Sequence, residues 1–325
     1  MKRTLTVGGV ELDSPVMLAP MAGYTDLPFR HEVRTLGGLG LAFSEMVNPR
    51  SFLIGKAKKI GHLLATAPDD RPLSYQIYGH EPHILADGAR WLCDRGAAMI
   101  DINMGCPQRK IAKRGAGAGL LRDPASATGL ARTIVDAVKI PVTVKIRLLP
   151  EQVESSTPEF VRALEDAGVA AVTVHARTCS QMFTGHSDWS AIRSAVESVR
   201  RIPVIGNGDI TCPDDAVAMM KDTGCSGVML GRAALKDPWL VRDCAAALGA
   251  IPQQPAPSRQ DRLALMSRHL ERMAALYGDD AAPLLFRKWI PPYARKLRVS
   301  RPEMVYMLKL VKLDEVRKEI AKLLP

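Results

Sequence analysis

The stretch Ala98-Met99-Ile100-Asp101-Ile102-Asn103-Met104-Gly105-Cys106-Pro107 decides how the rest of the chain is read. Its apolar start reads as a strand, its middle alternates polar and apolar residues, and Gly-Cys-Pro closes it as a turn. A thiol is thereby set where a strand gives way to a loop, which is where parallel α/β proteins build their chemistry. A lone cysteine is more often a small buried hydrophobe than a reactant, so the reading of Cys106 depends on its surroundings.

Outward from this stretch the chain alternates short apolar or β-branched runs with helical patterns. The runs Val16–Ala19, Leu41–Glu45, Leu73–Ile77, Met99–Ile102, Val142–Ile146, Ala171–His175, Val204–Gly206 and Gly227–Leu230 read as strands. Helices are expected near Leu27–Leu36, Gly55–Leu64, Pro82–Arg95, Pro124–Val138, Pro158–Ala167, Trp189–Val199, Pro213–Thr223 and Pro238–Leu248. Several open on a proline, which suits the first helical turn because its missing N–H has no intrahelical partner there. Eight such units predict a closed (β/α)8 TIM barrel with functional residues at the strand C-termini.

The length of 325 residues fits one barrel plus a small appendix. The run Ile251-Pro252-Gln253-Gln254-Pro255-Ala256-Pro257 reads as a linker, so the expected domains are residues 1–250, a linker at 251–257 and a helical domain at 258–325. Within that last part Gln260–Leu276 and Pro302–Leu324 have helical periodicity, and Pro283–Arg298 is helix-like but interrupted by Pro291-Pro292. No apolar run reaches membrane-spanning length and the N-terminus lacks a signal-peptide core, so a cytoplasmic protein without membrane contact is expected. The six cysteines form no Cys-x-x-Cys pair, which argues against structural zinc, an iron–sulfur cluster or a disulfide framework.

Charge is unevenly spread. Residues 255–325 hold 15 Lys and Arg against 8 Asp and Glu, a net of +7 out of +10 for the whole chain. A basic appendix on a nearly balanced body suggests a polyanionic partner, although scattered charge is usually a solvated face. From Leu284 to Pro302 there is no acidic residue, while Arg287, Lys288, Arg295, Lys296, Arg298 and Arg301 are interleaved with Trp289 and Tyr293. The cations suit phosphate contacts; the aromatics suit either base stacking or the core of the small helical domain.

The strand exits are polar almost throughout. Gln76, Asn103 with Cys106, Lys145 with Arg147, His175 with Arg177, Asn207-Gly208-Asp209 and Gly231-Arg232 follow the strands, and Ala19-Pro20-Met21-Ala22-Gly23 offers small residues that let backbone approach a flat ligand. Glycine turns after the last two barrel strands are the usual phosphate site of this fold, and an arginine after the second glycine suits it.

On these residues the sequence resembles the tRNA-dihydrouridine synthases, most closely a bacterial B-type branch. The matching stretches are Ala19 to Arg30, Ser44-Glu45-Met46, Gln76 to Gly79, Asp101 to Pro107, Val144 to Arg147, Val174 to Thr178, Gly206 to Ile210 and Gly231 to Ala234. After Arg147 the chain departs from the family, which continues with glycine and a Trp- or Asp-containing loop where this chain has Leu148-Leu149-Pro150-Glu151-Gln152. The resemblance implies an FMN enzyme that reduces the C5–C6 double bond of uridines in tRNA with electrons from NADPH or, second, NADH. It implies that Pro20, Met21 and Ala22 line the flavin and that Gln76 and Lys145 bond its pyrimidine ring. His175, Asn207, Gly208, Asp209, Gly231 and Arg232 would hold the phosphate end. Cys106 would protonate C5; Asn103, Arg147 and Arg177 would bind the substrate; and Arg287, Lys288, Arg295, Lys296 and Arg298 would meet the tRNA backbone.

No Gly-x-Gly-x-x-Gly fingerprint follows the first strand, so the nicotinamide is expected to react at the open flavin face with ping-pong kinetics. No metal and no stable protein partner are implied, and a monomer is expected. Two other readings stand beside this one. A reductase of free pyrimidines, like the dihydroorotate or dihydropyrimidine dehydrogenases, would not need the basic appendix. An RNA-binding factor that keeps flavin without turnover would not need Cys106 and Lys145.

Overall fold

The computed structural model describes residues 3–56 and 60–323. Eight strands form a closed parallel barrel: β3 (Val16–Leu18), β4 (Leu41–Phe43), β5 (Leu73–Ile77), β6 (Met99–Met104), β7 (Val142–Arg147), β8 (Ala171–His175), β9 (Val204–Asn207) and β10 (Gly227–Leu230). They run in sequence order and β10 pairs with β3 to close the ring. Helices alternate with them, and the expected (β/α)8 barrel is present.

Strands pleat with a period of two, so each barrel strand sends alternate side chains inward and outward. Val16, Leu18, Ile100, Ile102, Val142, Val144, Val172 and Val174 face the helices. Met17, Leu41, Phe43, Met99, Ala171, Ile205 and Met229 fill the interior. The interior is closed from below by an antiparallel hairpin absent from the sequence reading, β1 (Leu5–Val7) and β2 (Val10–Leu12), whose Val7 and Leu12 join that inner cluster. Its two-residue turn is Gly8-Gly9 at φ 54° and 86°, a left-handed pair that matches the twist of the flanking strands.

Several expected boundaries move for physical reasons. β6, β7 and β9 run on to Met104, Arg147 and Asn207, because the registers Asn103↔Lys145, Arg147↔His175 and His175↔Asn207 keep the ladder intact into the polar end. The expected helix Gly55–Leu64 is corrected: Gly55 sits at φ 81° and only Gly61–Leu64 is α-helical, with 57–59 outside the described residues. The expected Pro283–Arg298 helix is two, Ala282–Phe286 and Ile290–Leu297; Pro291 and Pro292 stand in the first turn of the second, where a missing N–H is harmless. Pro302–Leu324 is likewise split into Arg301–Met307 and Leu313–Lys322.

Residues 251–257 carry neither helix nor strand, and helix Arg259–Tyr277 starts beyond them with Ser258 as its cap. The C-terminal helices pack on helix Leu27–Leu36. Trp289 stacks on Phe29 at 4.6 Å between ring centroids and meets the edge of Tyr24 at 5.4 Å. Buried Glu32 accepts a hydrogen bond from Arg268 and is ion-paired with Arg272, each at 3.1 Å. Tyr277 donates its hydroxyl to Asp26 at 2.9 Å. No helix among the described residues is long and apolar enough to cross a membrane.

A buried ion pair anchors the loop between β3 and this helix. Arg30 donates to Asp70 through Nε at 2.9 Å and Nη2 at 2.6 Å, and its other N–H groups reach the carbonyls of Thr25 and Ala65 at 2.8 Å. Both side chains are shielded from water. Removing one partner strands the other charge, so Asp70→Ala should lower the unfolding free energy by about 3–5 kcal/mol in urea titration. A loss below about 1 kcal/mol would mean that the carbonyls alone satisfy Arg30.

Candidate active site at the barrel mouth

One cavity of ≈ 1230 Å³ opens at the C-terminal ends of the barrel, lined by residues of six strands, β5 to β10, and by the segments that follow β3 and β4. The inward set of each strand turns polar toward this end: Ser74 then Gln76; Met99, Asp101, Asn103; Thr143, Lys145, Arg147; Ala171, Thr173, His175; Ile205, Asn207. Because parallel strands in register point matching residues the same way, these side chains meet across the barrel.

Asp101 organises the floor. Its Oδ2 accepts from Gln76 at 2.7 Å and its Oδ1 from the Thr143 hydroxyl at 2.6 Å. Gln76 in turn accepts from the Asn103 amide at 2.8 Å. Burial raises the Asp101 carboxyl to about 6, opposed by the bonds from Gln76 and Thr143 and by the charge of Lys145. Lys145 lies deep in the barrel mouth and is lowered to about 8, chiefly by desolvation, with Asp101 holding it up. Its Nζ donates to Asn207 Oδ1 at 2.9 Å, and Asn207 donates onward to the Met229 carbonyl at 2.7 Å. Asp101, present in the opening motif but given no role by sequence, is thus the hub; its place on the inward face between Met99 and Asn103 was the available signal.

Cys106 is half-buried on the rim and lines the cavity. Asn103 Oδ1 accepts from the backbone N–H groups of Gly105 and Cys106 at 3.1 and 2.9 Å, so this side chain shapes the turn that presents the thiol. Burial pushes the Cys106 thiol up, with the charge of Arg147 opposing. A thiol held above its ordinary value keeps its proton at neutral pH, which does not favour nucleophilic attack. Arg147 itself donates to the Thr178 carbonyl at 2.8 Å and faces the Phe183 ring at 5.3 Å. The departure after Arg147 is absorbed by packing: Leu149 is buried, and its N–H donates to Thr157 at 3.0 Å.

Opposite the Cys106 rim, His175, Gly208, Gly231 and Arg232 border the cavity. His175 is driven down to about 2 by burial and by the cations Lys145, Arg147, Arg177 and Arg232, so its imidazole is neutral. Gly208 stands at φ 126°, and a Cβ there would lie 2.8 Å from Ser187. Arg232 lies 4.5 Å from the Phe183 ring centroid. Pro20, Met21 and Ala22 form a wall whose turn is fixed by the Met21 N–H to Thr25 bond of 2.9 Å.

Several expected binding residues are committed elsewhere. Arg177 does not line the cavity: it is buried, bonded to Asp209 at 2.6 and 2.8 Å and to the carbonyls of Thr184 and Gly185. Asn207 and Asp209 do line the cavity; Asn207 steadies Lys145, and Asp209, where desolvation is overcome by the bonds from Arg177 and Ser187, is held low in its pair with Arg177. Of the five appendix cations expected to meet tRNA, Arg295 and Lys296 line the cavity, beside Pro292, and Lys296 is paired with Asp237 at 2.6 Å. Lys288 donates to the Gly23 carbonyl, Arg287 to the Leu310 carbonyl at 3.0 Å, and Arg298 is exposed at the end of its helix with φ 55°. Trp289 and Tyr293 are buried, which overturns base stacking and leaves packing as their role. Gln108 and Phe183 line the cavity without having been singled out by sequence, as does Met46, which lay in a matching stretch but was given no role.

The family model for dihydrouridine synthase matches residues 17–320. A probable tRNA-dihydrouridine synthase of Rhodobacter capsulatus is 39% identical over 291 residues, covering 90% of this chain and 89% of its own. A tRNA-dihydrouridine synthase B of Xanthomonas axonopodis pv. citri is 38% identical over 291 residues, 90% and 87% of the two chains. A probable tRNA-dihydrouridine synthase of Rickettsia bellii is 36% identical over 293 residues, 90% and 89%. The chain belongs to the dihydrouridine synthase family.

Proposed function

We propose that this chain reduces the C5–C6 double bond of particular uridines in tRNA, with FMN held in the barrel-mouth cavity and NADPH, or NADH, as the transient reductant. The observation that carries this is that Cys106 lines one cavity with the cations Lys145 and Arg147, and burial, by pushing its thiol up, suits it to give a proton. Tests of fit support the cofactor. Among the described residues the carboxylates that line the cavity, Asp209, Asp237 and Asp243, are paired with Arg177, Lys296 and Arg242, and Asp101 beneath the floor is bonded to Gln76 and Thr143, leaving Lys145, Arg147 and Arg232 to meet an anionic ligand. A Cβ at Gly231 would meet nothing closer than 3.9 Å, so its absence leaves room beside Ala19 and Met21.

When bound, the flavin supplies the hydride for C6 of uracil. Cys106 gives its proton to C5, and the nearby Arg147 charge favours the thiolate left behind. Gln76 and Lys145 hold the pyrimidine edge of the cofactor; His175, Gly208, Gly231 and Arg232 hold its phosphate. Arg147 presents its remaining N–H groups to the base carbonyls, and Asn103 acts by setting the Cys106 turn. The division of labour follows the chain: residues 1–250 catalytic, 251–257 linking and 258–325 helping to hold tRNA, in a cytoplasmic monomer.

Purified protein given NADPH should add two hydrogens to an unmodified tRNA transcript, read by mass analysis of its fragments, and should leave free uracil unchanged. Turnover of uracil without any change in tRNA would favour the free-pyrimidine reading. Cys106→Ala should keep its FMN and bind tRNA but form dihydrouridine about 10²–10⁴-fold more slowly; wild-type rates from this variant would remove the thiol from the reaction. Lys145 is charged below about 8 and neutral above. FMN affinity of the apoprotein, followed by flavin fluorescence, should therefore weaken as pH rises from 7 to 9.5, approaching about tenfold per unit. Lys145→Gln should flatten that profile, and a flat wild-type profile would assign the anion contact to another group.

A further inference from the structure

Between Asp101 and Asp123 the chain has no acidic residue and five basic ones, Arg109, Lys110, Lys113, Arg114 and Arg122. The first four lie on the short helix Arg109–Ala112 and the turn that follows, and all four are exposed. Several other surface arginines are matched, as Arg50 is with Glu81, Arg90 with Asp87 and Arg317 with Glu271. Among the described residues none of these four has a carboxylate partner within ion-pair distance. Four unmatched cations within six residues repel one another, a arrangement that a polyanion relieves.

Position gives the patch its meaning. It begins three residues after Cys106, and Gln108 between them lines the cavity. The segment is tied back to the thiol by the Ala118 N–H to Cys106 carbonyl bond of 3.0 Å. In the ring order β10-β3-β4-β5-β6-β7-β8-β9 the strand that carries it, β6, stands opposite β10. The C-terminal helices, with Arg295 and Lys296 on the cavity wall, pack on the β3 and β10 side. Two basic rims therefore face each other across the mouth. Arg109 and Lys110 stand on the single helical turn and Lys113 and Arg114 on the turn that closes it, which crowds four cations into one short segment.

We propose that Arg109, Lys110, Lys113 and Arg114 form a second phosphate-binding surface, which grips the RNA backbone flanking the target uridine on the Cys106 side. The strand then crosses the mouth between this patch and Arg295 with Lys296, and the target base drops into the cavity between them. This rests on RNA being the substrate. A repeating phosphodiester backbone suits a cluster of unmatched cations, whereas a folded acidic protein would need apolar anchors, and the patch offers Ile111 alone, half-buried.

The test is binding of a fluorescently labelled, unmodified tRNA transcript at several salt concentrations. The fourfold variant Arg109→Gln, Lys110→Gln, Lys113→Gln, Arg114→Gln should bind about 10- to 100-fold more weakly at physiological salt, with a log–log salt slope shallower by about 3. The charge-conserving pair Arg109→Lys, Arg114→Lys should bind like wild type. If the fourfold change lowers the melting temperature, the pair Arg109→Gln, Lys110→Gln carries the test with about half the slope change. A fourfold variant with wild-type affinity and slope overturns the patch while leaving the function intact. Wild-type protein that binds no tRNA overturns the underlying function and the patch with it. Tighter binding of labelled polyglutamate than of tRNA, lost in the fourfold variant, would reassign the surface to a protein partner and overturn the proposal.

Discussion

The structure depends on one constraint: a carboxylate and an ammonium, Asp101 and Lys145, are kept inside the polar end of a barrel whose interior is otherwise packed with Val7, Leu12, Met17, Leu41 and Met99. Desolvation makes each group resist its charge, moving Asp101 up to about 6 and Lys145 down to about 8. Asp101, with its folded-state value raised, contributes stability below its unfolded value that is lost as pH rises through about 6. Lys145, with its value depressed, contributes stability above its unfolded value that is lost as pH falls through about 8. Between these values both charges are present and the protein carries their full electrostatic strain. The bonds from Gln76, Thr143 and Asn207 limit that strain, and an anionic ligand over Lys145 would relieve it further. The site is poised for a ligand by the same desolvation that destabilises it empty.

The wall facing that ammonium is held from outside the barrel. Trp289 touches both Phe29 and Tyr24, and Lys288 reaches the Gly23 carbonyl, so the C-terminal helices grip the loop whose Pro20, Met21 and Ala22 border the cavity. Each such ring pair adds about 0.5–1.5 kcal/mol beyond the area it buries. The Arg30–Asp70 pair fastens the same loop from the barrel side. An appendix that seemed in sequence to be a polyanion-binding module is, in its aromatic residues, a buttress of the cavity wall.

The barrel and the general position of the site were legible because both rest on local rules. Alternating β-branched runs and proline-led helices specify eight βα units, and a two-residue period fixes which side chains enter the barrel. What escaped depends on partners distant in sequence. Nothing local to Arg177 says that it will be consumed by Asp209, thirty-two residues on, and nothing local to Asn207 says that it will steady Lys145. Trp289 and Tyr293 read as stacking or core until Phe29 and His269 were seen against them. The hairpin was a different kind of miss: Val7-Gly8-Gly9-Val10 is itself a turn signal between apolar residues, but three-residue strands fall below the length at which alternation shows.

Charge counting shows the same limit more sharply. Averaged over the first 254 residues the excess is only +3, which makes the barrel look neutral and the appendix basic. Yet the acids that balance that sum are distributed around the body. Glu165 and Asp166 hold Arg201, Asp70 is locked on Arg30 and Arg34, and Glu81 on Arg50. None lies between Asp101 and Asp123, so the loop after Cys106 keeps its cations unmatched. In the appendix the opposite happens: Arg268 and Arg272 are drawn to Glu32, and Arg317 to Glu271 and Asp314. Exposed charges are largely screened from one another beyond about 10 Å at ordinary salt, so what an RNA phosphate feels is the local surplus and not the sum. The field at the mouth is then set as much by the loop that carries the thiol as by the helices that hold most of the net charge.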